Sequence, residues 1–360
     1  MLIFQPFANF YKKYEHRISS FSLFLGFAFD AFTLKRVDQL FENILIALYL
    51  VLIGVFIILI HTTENKLGEE SPKAHFWYVN ILQFLFGGVF SAYLILYFRS
   101  ADIWVTWPFI ILLAIIFIAN EFLKQHYVKL SIQITLYFLA IYSFLIFFIP
   151  VVLHKIGPSI FLFSGLVSII LIYLFIKALF YFIKDRFSKS ERLLQSLITL
   201  VFILVNFLYF TNLIPPIPLS LKDAGVFHSI QKNKEGNYYV TFEDLGFRGY
   251  LQFYPDFKAV TGSPIYAFSA IFSPKYLNIA ILHEWQQWSE EKKEWNTERV
   301  INLSVVGGRD GGFRTYSSRF NLEEGKWRVN IKTEEGQIVG RLRFRVVLVD
   351  EKPELTAAVK

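Results

Sequence analysis

The chain of 360 residues contains no cysteine and only one methionine. Without cysteine, the protein has no disulfide framework, no iron–sulfur cluster, no thiolate zinc site and no cysteine nucleophile. Charged residues are also scarce, at 18% against about 25% in soluble domains. Hydrophobic residues reach 54% and the mean hydropathy is +0.44, which excludes a disordered chain, a collagen, a coiled coil and a typical cytosolic enzyme. The composition therefore predicts a membrane protein.

Charge is distributed unequally between two parts of the chain, which meet at the proline-rich run Ile214–Pro218. Residues 1–215 contain 16 Lys or Arg and 11 Asp or Glu, whereas residues 216–360 contain 20 and 18. The second part has the charge density of a soluble domain, and the first has about half of it. Proline does not continue a helix, so the run also ends the last apolar segment. We predict a transmembrane domain over residues 1–215 and an extracytoplasmic domain over residues 216–360.

Seven apolar segments of the first domain are candidates for spanning helices, which need about 20 mostly apolar residues. They are Ser19–Leu34, Ile44–Ile60, Phe76–Phe98, Ile103–Asn120, Leu130–Leu153, Ser159–Ile183 and Leu193–Ile214. None shows the period-two alternation of a membrane β-barrel, so the predicted fold is an all-α helical bundle of about seven spans. The first segment is short and carries Asp30; it either spans the membrane or is re-entrant or interfacial.

The Lys and Arg residues of the short loops predict the orientation. With seven spans, 11 basic residues lie on the side of the N-terminus and four on the other side. The larger group comprises Lys12, Lys13, Arg17, Lys66, Lys73, Lys124, Lys129, Lys184, Arg186, Lys189 and Arg192, and the smaller one Lys35, Arg36, Arg99 and Lys155. The N-terminus is therefore predicted in the cytoplasm and residues 216–360 on the outer side of the cytoplasmic (inner) membrane.

Several polar residues interrupt the apolar segments, and two interpretations apply to them. They are Asp30, Gln83, Asn120, Glu121 and Asn206. Ionisable groups at membrane depth are functional candidates, and these side chains would then line a transport pathway. The alternative is hydrogen bonding between helices, with Asp30 paired to Lys35 or Arg36 near the outer interface. No charge recurs deep in several helices, which favours the second interpretation.

The second domain shows short alternating runs separated by turn-forming residues, the pattern of β-strands. The predicted strands are Tyr238–Glu243, Gly249–Tyr254, Tyr266–Phe272, Ile279–Trp288, Arg299–Val306, Phe313–Phe320, Trp327–Lys332 and Ile338–Val349. Eight strands at this spacing predict an all-β sandwich.

Two strands of this domain carry His, Arg and aromatic residues that are candidates for ligand binding. His283 and Trp285 share a face of one strand, while Arg314 and Tyr316 lie on another. Such residues line carbohydrate or anion sites. In the alternative, Trp285 anchors the core of the sandwich and His283 is its hydrogen-bonded neighbour, which is the interpretation we favour.

A basic stripe is predicted on the last strand, where Arg341, Arg343 and Arg345 alternate with apolar residues. Alternation places the three arginines on one face. Arginine suits bidentate binding of phosphate and carboxylate, whereas interspersed surface charge is also common without any ligand. The second interpretation is the more frequent one for such a pattern.

Searches for catalytic motifs find neither Gly-x-Ser-x-Gly nor a phosphate-binding loop nor a dinucleotide fingerprint. His283-Glu284 is not followed by a second His four residues on, so the zinc-protease motif fails. The run Gly307–Gly312 joins strand to strand and is read as a hairpin connection. The sequence thus leans against an enzyme, and no catalytic residue, metal site, cofactor or nucleic-acid partner is predicted.

Four motifs of the second domain resemble a family of bacterial membrane proteins with a C-terminal domain of unknown function 2914. They are His283-Glu-Trp285, Arg314-Thr-Tyr-Ser-Ser318, Gly325-Lys-Trp327-Arg-Val329 and Gly336-Gln-Ile-Val-Gly340 with Phe344-Arg-Val346. The similar stretch runs from about residue 280 to 347. Gly26-Phe-Ala-Phe-Asp30 and Ile214-Pro-Pro-Ile-Pro-Leu219 also resemble multi-spanning members. The resemblance supports the architecture and implies no activity.

These features predict an integral membrane protein whose external β-sandwich binds a ligand or partner of the cell envelope: a glycan, a lipid head group or a protein. The alternatives are a transporter or channel that uses the polar residues of the bundle, and a membrane enzyme acting on lipid-linked substrates. The lipid bilayer is a partner in every case.

Overall fold

The computed structural model describes residues 26–34, 38–67, 72–100, 102–122, 129–183, 191–234, 236–246, 252–277 and 279–360. The chain forms two compact units. One consists of Met1–Arg99 and Trp107–Ile214, and the other of Ser100–Thr106 and Pro215–Lys360. The first is helical and the second, which we call the β-rich unit, contains all the strands of the described residues.

Six long helices follow one another in the first part of the chain, after a helical stretch over residues 26–33. They are α1 Leu40–Leu67, α2 Pro72–Ser100, α3 Ile103–Phe122, α4 Leu130–Leu153, α5 Pro158–Phe182 and α6 Glu191–Phe210. Helix α4 ends where His154 adopts the left-handed conformation (φ 51°), and α5 begins with Pro158, whose missing N–H has no role in a first turn.

Five of these helices are long and apolar enough to cross a membrane: α1, α2, α4, α5 and α6. The sequence predicted seven. In α3 the apolar part Val105–Asn120 is shorter than a span, and the first predicted segment, Ser19–Leu34, is described only from residue 26.

In α2 and α4, 72% and 67% of the most apolar 18-residue stretch is buried, against 28% and 22% in α5 and α6. Helices α2 and α4 therefore form the interior of the helical unit. Helix α4 packs against α1, α5 and α6. The outer surface of α5 remains apolar, with Leu162, Leu166, Ile170 and Leu174 exposed. A surface of this kind suits a hydrocarbon environment rather than water.

The β-rich unit contains eleven strands in its described residues. They are β1 Ser220–Phe227, β2 Ser229–Lys232, β3 Tyr238–Phe242, β4 Asp256–Val260, β5 Pro264–Phe272, β6 Ile279–Ser289, β7 Glu294–Val305, β8 Phe313–Phe320, β9 Gly325–Thr333, β10 Ile338–Val349 and β11 Thr356–Val359. Seven of the eight predicted strands are found. The remaining prediction, Gly249–Tyr254, is described only over residues 252–254, and these form no strand. Pairing with β10 begins only after Pro255, at Asp256.

The strands form three sheets instead of the two of a simple sandwich. A five-stranded sheet has the order β4-β10-β9-β6-β7, and two three-stranded sheets have the orders β1-β5-β8 and β11-β3-β2. All pairs are antiparallel except β4 with β10.

Strand β5 connects the two cores of this unit through its alternating side chains. Ile265 and Ala267 belong to the core shared with the five-stranded sheet, where Trp285 and Trp327 are buried. Phe268 belongs to the core shared with β2 and β3. The sheet β1-β5-β8 is therefore covered on both faces, and the five-stranded sheet has a second face outside this core.

Candidate functional site

The outer face of the five-stranded sheet collects polar and basic side chains from three neighbouring strands. Residues of β9 and β10 alternate between core and outer face, so Trp327, Val329 and Phe344 are buried in the core while the arginines between them face outward. The register places Arg343 directly opposite Arg328. Like charges in directly opposed positions destabilise a sheet, so this juxtaposition is costly for the fold.

Asn330 is the centre of a hydrogen-bond network on this face. Its amide donates to Glu284 Oε2 (2.9 Å) and to Gln286 Oε1 (3.0 Å), and its Oδ1 accepts from Arg341 Nε (2.6 Å). Arg328 Nε donates to the same Gln286 oxygen at 2.6 Å. Arg328 and Arg341 are thereby each held at Nε, which orients their guanidinium groups before any ligand arrives.

Aromatic rings flank these arginines. The Arg328 guanidinium lies 4.2 Å from the ring centroid of Trp295, and that of Arg343 lies 4.4 Å from the ring of Phe253. Tyr254 stacks on Trp295 with centroids 6.2 Å apart. Arginine on an aromatic plane loses little freedom when it binds an anion, because the ring already fixes the plane of the guanidinium.

The three guanidinium groups influence one another electrostatically. Burial and, after it, the positive charge of Arg341 lower the pKa of Arg328 to about 10. Burial and the charge of Arg343 lower the pKa of Arg341, and burial lowers that of Arg343. All three remain protonated at neutral pH. Burial is the largest cause of each shift, so the face keeps positive charge that is poorly hydrated and that an anion would stabilise.

Two carboxylates offset part of this charge. Glu284 pairs with Lys332 at 2.6 Å, and Asp102, which belongs to the same compact unit, accepts the backbone N–H of Arg341 at 2.7 Å. With Arg328, Arg341 and Arg343, the face has four cations and two acids, a net charge of +2. In the described part of the chain, the Nη groups of Arg328 and Arg341 make no hydrogen bond, so their donors remain for a ligand. We call Arg328, Arg341 and Arg343 the basic face.

Arg345, the third arginine of the predicted stripe, is engaged elsewhere. Its Nε donates to Asp256 Oδ1 at 2.7 Å, and this carboxylate raises the pKa of Arg345. The structure thus brings Arg341 and Arg343 together with Arg328, which is not among the residues selected from the sequence. The alternation of β9 already places Arg328 on this face, but only the pairing of β9 with β10 shows that it joins the stripe.

His283 and Trp285 lie in the core between the five-stranded sheet and the sheet β1-β5-β8. His283 is fully buried, with Nε2 2.9 Å from Ser269 Oγ and Nδ1 2.8 Å from Ser317 Oγ. Trp285 Nε1 donates to the same Ser317 oxygen at 3.0 Å. Burial lowers the pKa of His283 to about 4, so the ring is neutral at pH 7. This geometry is that of a satisfied polar cluster in the core.

Arg314 and Tyr316 lie on the opposite face of β8 from Ser317. The Tyr316 ring contacts Tyr266 and Tyr238, and the Arg314 carbonyl accepts a hydrogen bond from the Tyr238 hydroxyl at 3.3 Å. The structure therefore separates these two residues from His283 and Trp285, since a sheet lies between the two pairs.

The stretch from β6 to β10 contains both the His283 cluster and the basic face. Residues 279–346 match the family described as "Protein of unknown function (DUF2914)". This match confirms the resemblance expected from the four motifs, and it lies entirely within the β-rich unit. The DUF2914 stretch thus supplies every residue of the basic face.

Other comparisons add little. No curated protein matches the chain. Among solved structures, the chain is similar to the Pseudomonas fluorescens alkylpurine DNA glycosylase AlkC bound to DNA containing an abasic site analog. The identity is 8%, the coverage is 86% of this chain and 99% of that one, and the TM-score is 0.23. A TM-score this low supports no conclusion about fold or activity.

Outside the DUF2914 stretch, Asp30 is held by a neighbouring helix. Its carboxylate accepts a hydrogen bond from Ser91 Oγ of α2 at 2.6 Å. The predicted partners Lys35 and Arg36 lie outside the described residues, as does the side chain of Glu121.

The remaining polar residues of the bundle form separate pairs. Gln83 and Asn120 each donate from the side-chain amide to the other's backbone carbonyl, at 3.3 and 3.2 Å. Asn206 donates to the Tyr142 hydroxyl at 3.2 Å. These contacts join α2 to α3 and α4 to α6, as interhelical hydrogen bonds do in membrane bundles. The described residues contain no cluster of His, Asp and Glu suited to a metal ion.

Proposed function

We propose that the protein is an integral membrane protein whose external β-rich unit binds anionic groups of envelope ligands on its basic face. The carrying observation is a set of three half-buried guanidinium groups with a local net charge of +2. Gln286 orients that of Arg328, Asn330 that of Arg341, and the Phe253 ring that of Arg343. Arginine donors in a fixed fork match the oxygens of phosphate and carboxylate. Membrane lipids and envelope glycans both carry such groups.

The membrane part of the proposal is supported by the five long apolar helices and by the excess of Lys and Arg on one side of the predicted spans. By the positive-inside rule, this charge distribution favours an orientation in which residues 216–360 face away from the cytoplasm of a bacterial cell. The basic face would then meet ligands outside the inner membrane.

The test is isothermal titration of the full-length protein in neutral-lipid nanodiscs with glycerol 3-phosphate, glucose 6-phosphate and galacturonate. These probes represent a lipid head group, a phosphorylated glycan and an acidic glycan. The substitution Arg343→Gln removes one charged donor. It should raise the Kd of a bound probe about tenfold or more, because a hydrogen bond to a charged group contributes about 1.5–3 kcal/mol.

Arg345→Gln is the matched control, since Arg345 lies two residues away on the same strand but is paired with Asp256. It should leave Kd within about twofold. The proposal is wrong if none of the three probes binds, or if both substitutions change Kd equally. The ranking of the three probes decides between a lipid-type and a glycan-type ligand.

A further inference from the structure

A cleft of about 530 Å³ adjoins the basic face in the β-rich unit. It exists because β10 pairs with β4 only from Arg345 onward. Among the described residues, no strand pairs with the preceding segment of β10, from Arg341 to Phe344, on this side; Asp102 accepts the Arg341 N–H there. This segment lines the cleft. The facing wall is β1, the edge of the sheet β1-β5-β8. The volume lies in the range of sites for small molecules, about 300–1,000 Å³.

Much of the cleft wall is apolar. Val226, Leu245, Phe253 and Leu342 line it, and Phe253 has half of its surface exposed (51%). Ala224 adds little bulk to the wall of β1. A cleft with such walls favours a hydrocarbon group, because burying apolar surface is favourable by about 25 cal/mol per Å².

Three acidic groups line the cleft, Asp223, Glu243 and Asp256, and all of them have partners. Asp256 accepts a hydrogen bond from Arg345 Nε at 2.7 Å. Asp223 pairs with Lys360 at 2.8 Å. Glu243 accepts the backbone N–H of Lys258 at 2.7 Å and lies 3.2 Å from His228 Nε2.

Two arginines of the basic face also border the cleft and carry hydrogen-bond donors. Arg341 and Arg343 line the cleft, and the Arg343 guanidinium lies on Phe253, a residue of the same wall. Since the acidic groups of the cleft are paired, the charge left for a ligand is that of Arg341 and Arg343, beside the apolar wall.

We infer that the cleft and the basic face together form one binding site for an alkyl phosphate, with the phosphate on Arg341 and Arg343 and the hydrocarbon chain against Phe253 and Leu342. This inference rests on the proposed function and names its ligand class. A phosphate monoester carries a charge of about −1.5 to −2 near pH 7 and three acceptor oxygens, which complements a net charge of +2 and several arginine donors. A carboxylate offers half of that charge.

The test is a chain-length series: ethyl, butyl, hexyl and octyl phosphate titrated into the full-length protein in neutral-lipid nanodiscs, with partition into empty nanodiscs subtracted. Each methylene that enters the cleft contributes about 0.8 kcal/mol, so Kd should fall up to about fourfold per methylene. The decrease should stop when the chain has filled the cleft. Octanoate should bind more weakly than octyl phosphate.

Ala224→Phe fills the cleft, because Ala224 shares the face of β1 with Val226, which packs toward the five-stranded sheet. This variant should lose the dependence on chain length while it binds glycerol 3-phosphate as the wild type does, which also shows that it is folded. Ala357→Phe is the matched control: Ala357 is exposed on β11 and does not line the cleft. Arg343→Gln should weaken every member of the series by the same factor.

The outcomes separate the two proposals. If glycerol 3-phosphate binds through Arg343 but Kd does not change with chain length in the wild type, the inference is wrong and the proposed function stands. The inference is also overturned if Ala224→Phe and Ala357→Phe keep the same chain-length dependence, or if octanoate binds as tightly as octyl phosphate. If no phosphate binds, the inference is wrong, and the proposed function fails with it only if galacturonate does not bind either.

Discussion

The buried His283 makes the stability of the β-rich unit depend on pH. The ring lies between Ser269 and Ser317 and is fully buried, and burial lowers its pKa to about 4 from the ordinary value of 6.5. The unfolded chain therefore binds a proton at a pH where the folded one does not. As far as His283 determines it, the free energy of unfolding is highest above pH 6.5 and decreases as the pH falls from 6.5 toward 4.

The size of this effect follows from the two pKa values. The limiting loss of unfolding free energy is about 3 kcal/mol, since one pKa unit corresponds to about 1.4 kcal/mol. Between pH 7 and pH 5, where the shift is only partly expressed, the expected loss is about 2 kcal/mol. This is a large fraction of the stability of an ordinary domain.

The absence of cysteine provides the assay. Ala267 is fully buried in the core beside Trp285, so Ala267→Cys introduces the only thiol of the protein at a position that reacts only after opening. Labelling by dithiodipyridine, which reacts at acidic pH, is compared with that of the urea-unfolded chain at each pH. His283 alone should increase the normalised rate about thirtyfold between pH 7 and pH 5.

His283→Gln in the same background is the reference, because glutamine keeps a donor and an acceptor but does not titrate. His228, whose pKa is also lowered by burial, contributes equally to both proteins, so the difference between them isolates His283. Equal pH dependence in the two proteins would refute the reasoning. A weaker dependence in the glutamine variant, by about 2 kcal/mol, is the expected result.

Two further predictions also use an introduced cysteine, the first in the Ala267→Cys background and the second in the otherwise unchanged protein. A Cβ at Gly307 would lie 2.0 Å from the backbone oxygen of Pro274, so Gly307→Ala should lower the opening free energy by about 2 kcal/mol or more. Gly311→Ala, where a Cβ meets nothing, should change it by less than about 0.5 kcal/mol, and equal labelling rates for the two variants would contradict the account. For the orientation, a single cysteine at exposed Glu354 should react with a membrane-impermeant maleimide in intact bacterial spheroplasts; labelling only after lysis would place the β-rich unit in the cytoplasm.

Local patterns in the sequence predicted a large part of the fold. The apolar runs of α1, α2, α4, α5 and α6 and the alternation in seven strands were recognisable, because helix and strand periods depend on neighbouring residues alone. The predicted strand Gly249–Tyr254 was wrong in its described part. The signal of β4 is weak, since only Phe257 and Ala259 alternate there, and its parallel pairing with β10 connects residues about ninety positions apart.

In the candidate site, too, local alternation accounts for some residues and strand pairing for others. Alternation alone placed Arg341 and Arg343 on the outer face of β10. Arg328 belongs to the basic face because of the register of β9 against β10. Arg345 does not belong to it, because Asp256 of β4 pairs with it. Likewise, the motif around His283 was visible, but its partners Ser269 and Ser317 come from two other strands.

The sequence by itself determined that the chain divides at Ile214–Pro218 into an apolar helical part and a β-rich part of ordinary charge, because composition and periodicity are local properties. Only the tertiary structure decided which charges remain available to a ligand. A guanidinium is neutralised or left with unused donors according to what the neighbouring strand places within about 3 Å of it. Within the described residues, the cleft beside the basic face likewise depends on strand pairing, since β4 pairs with β10 only from Arg345 onward.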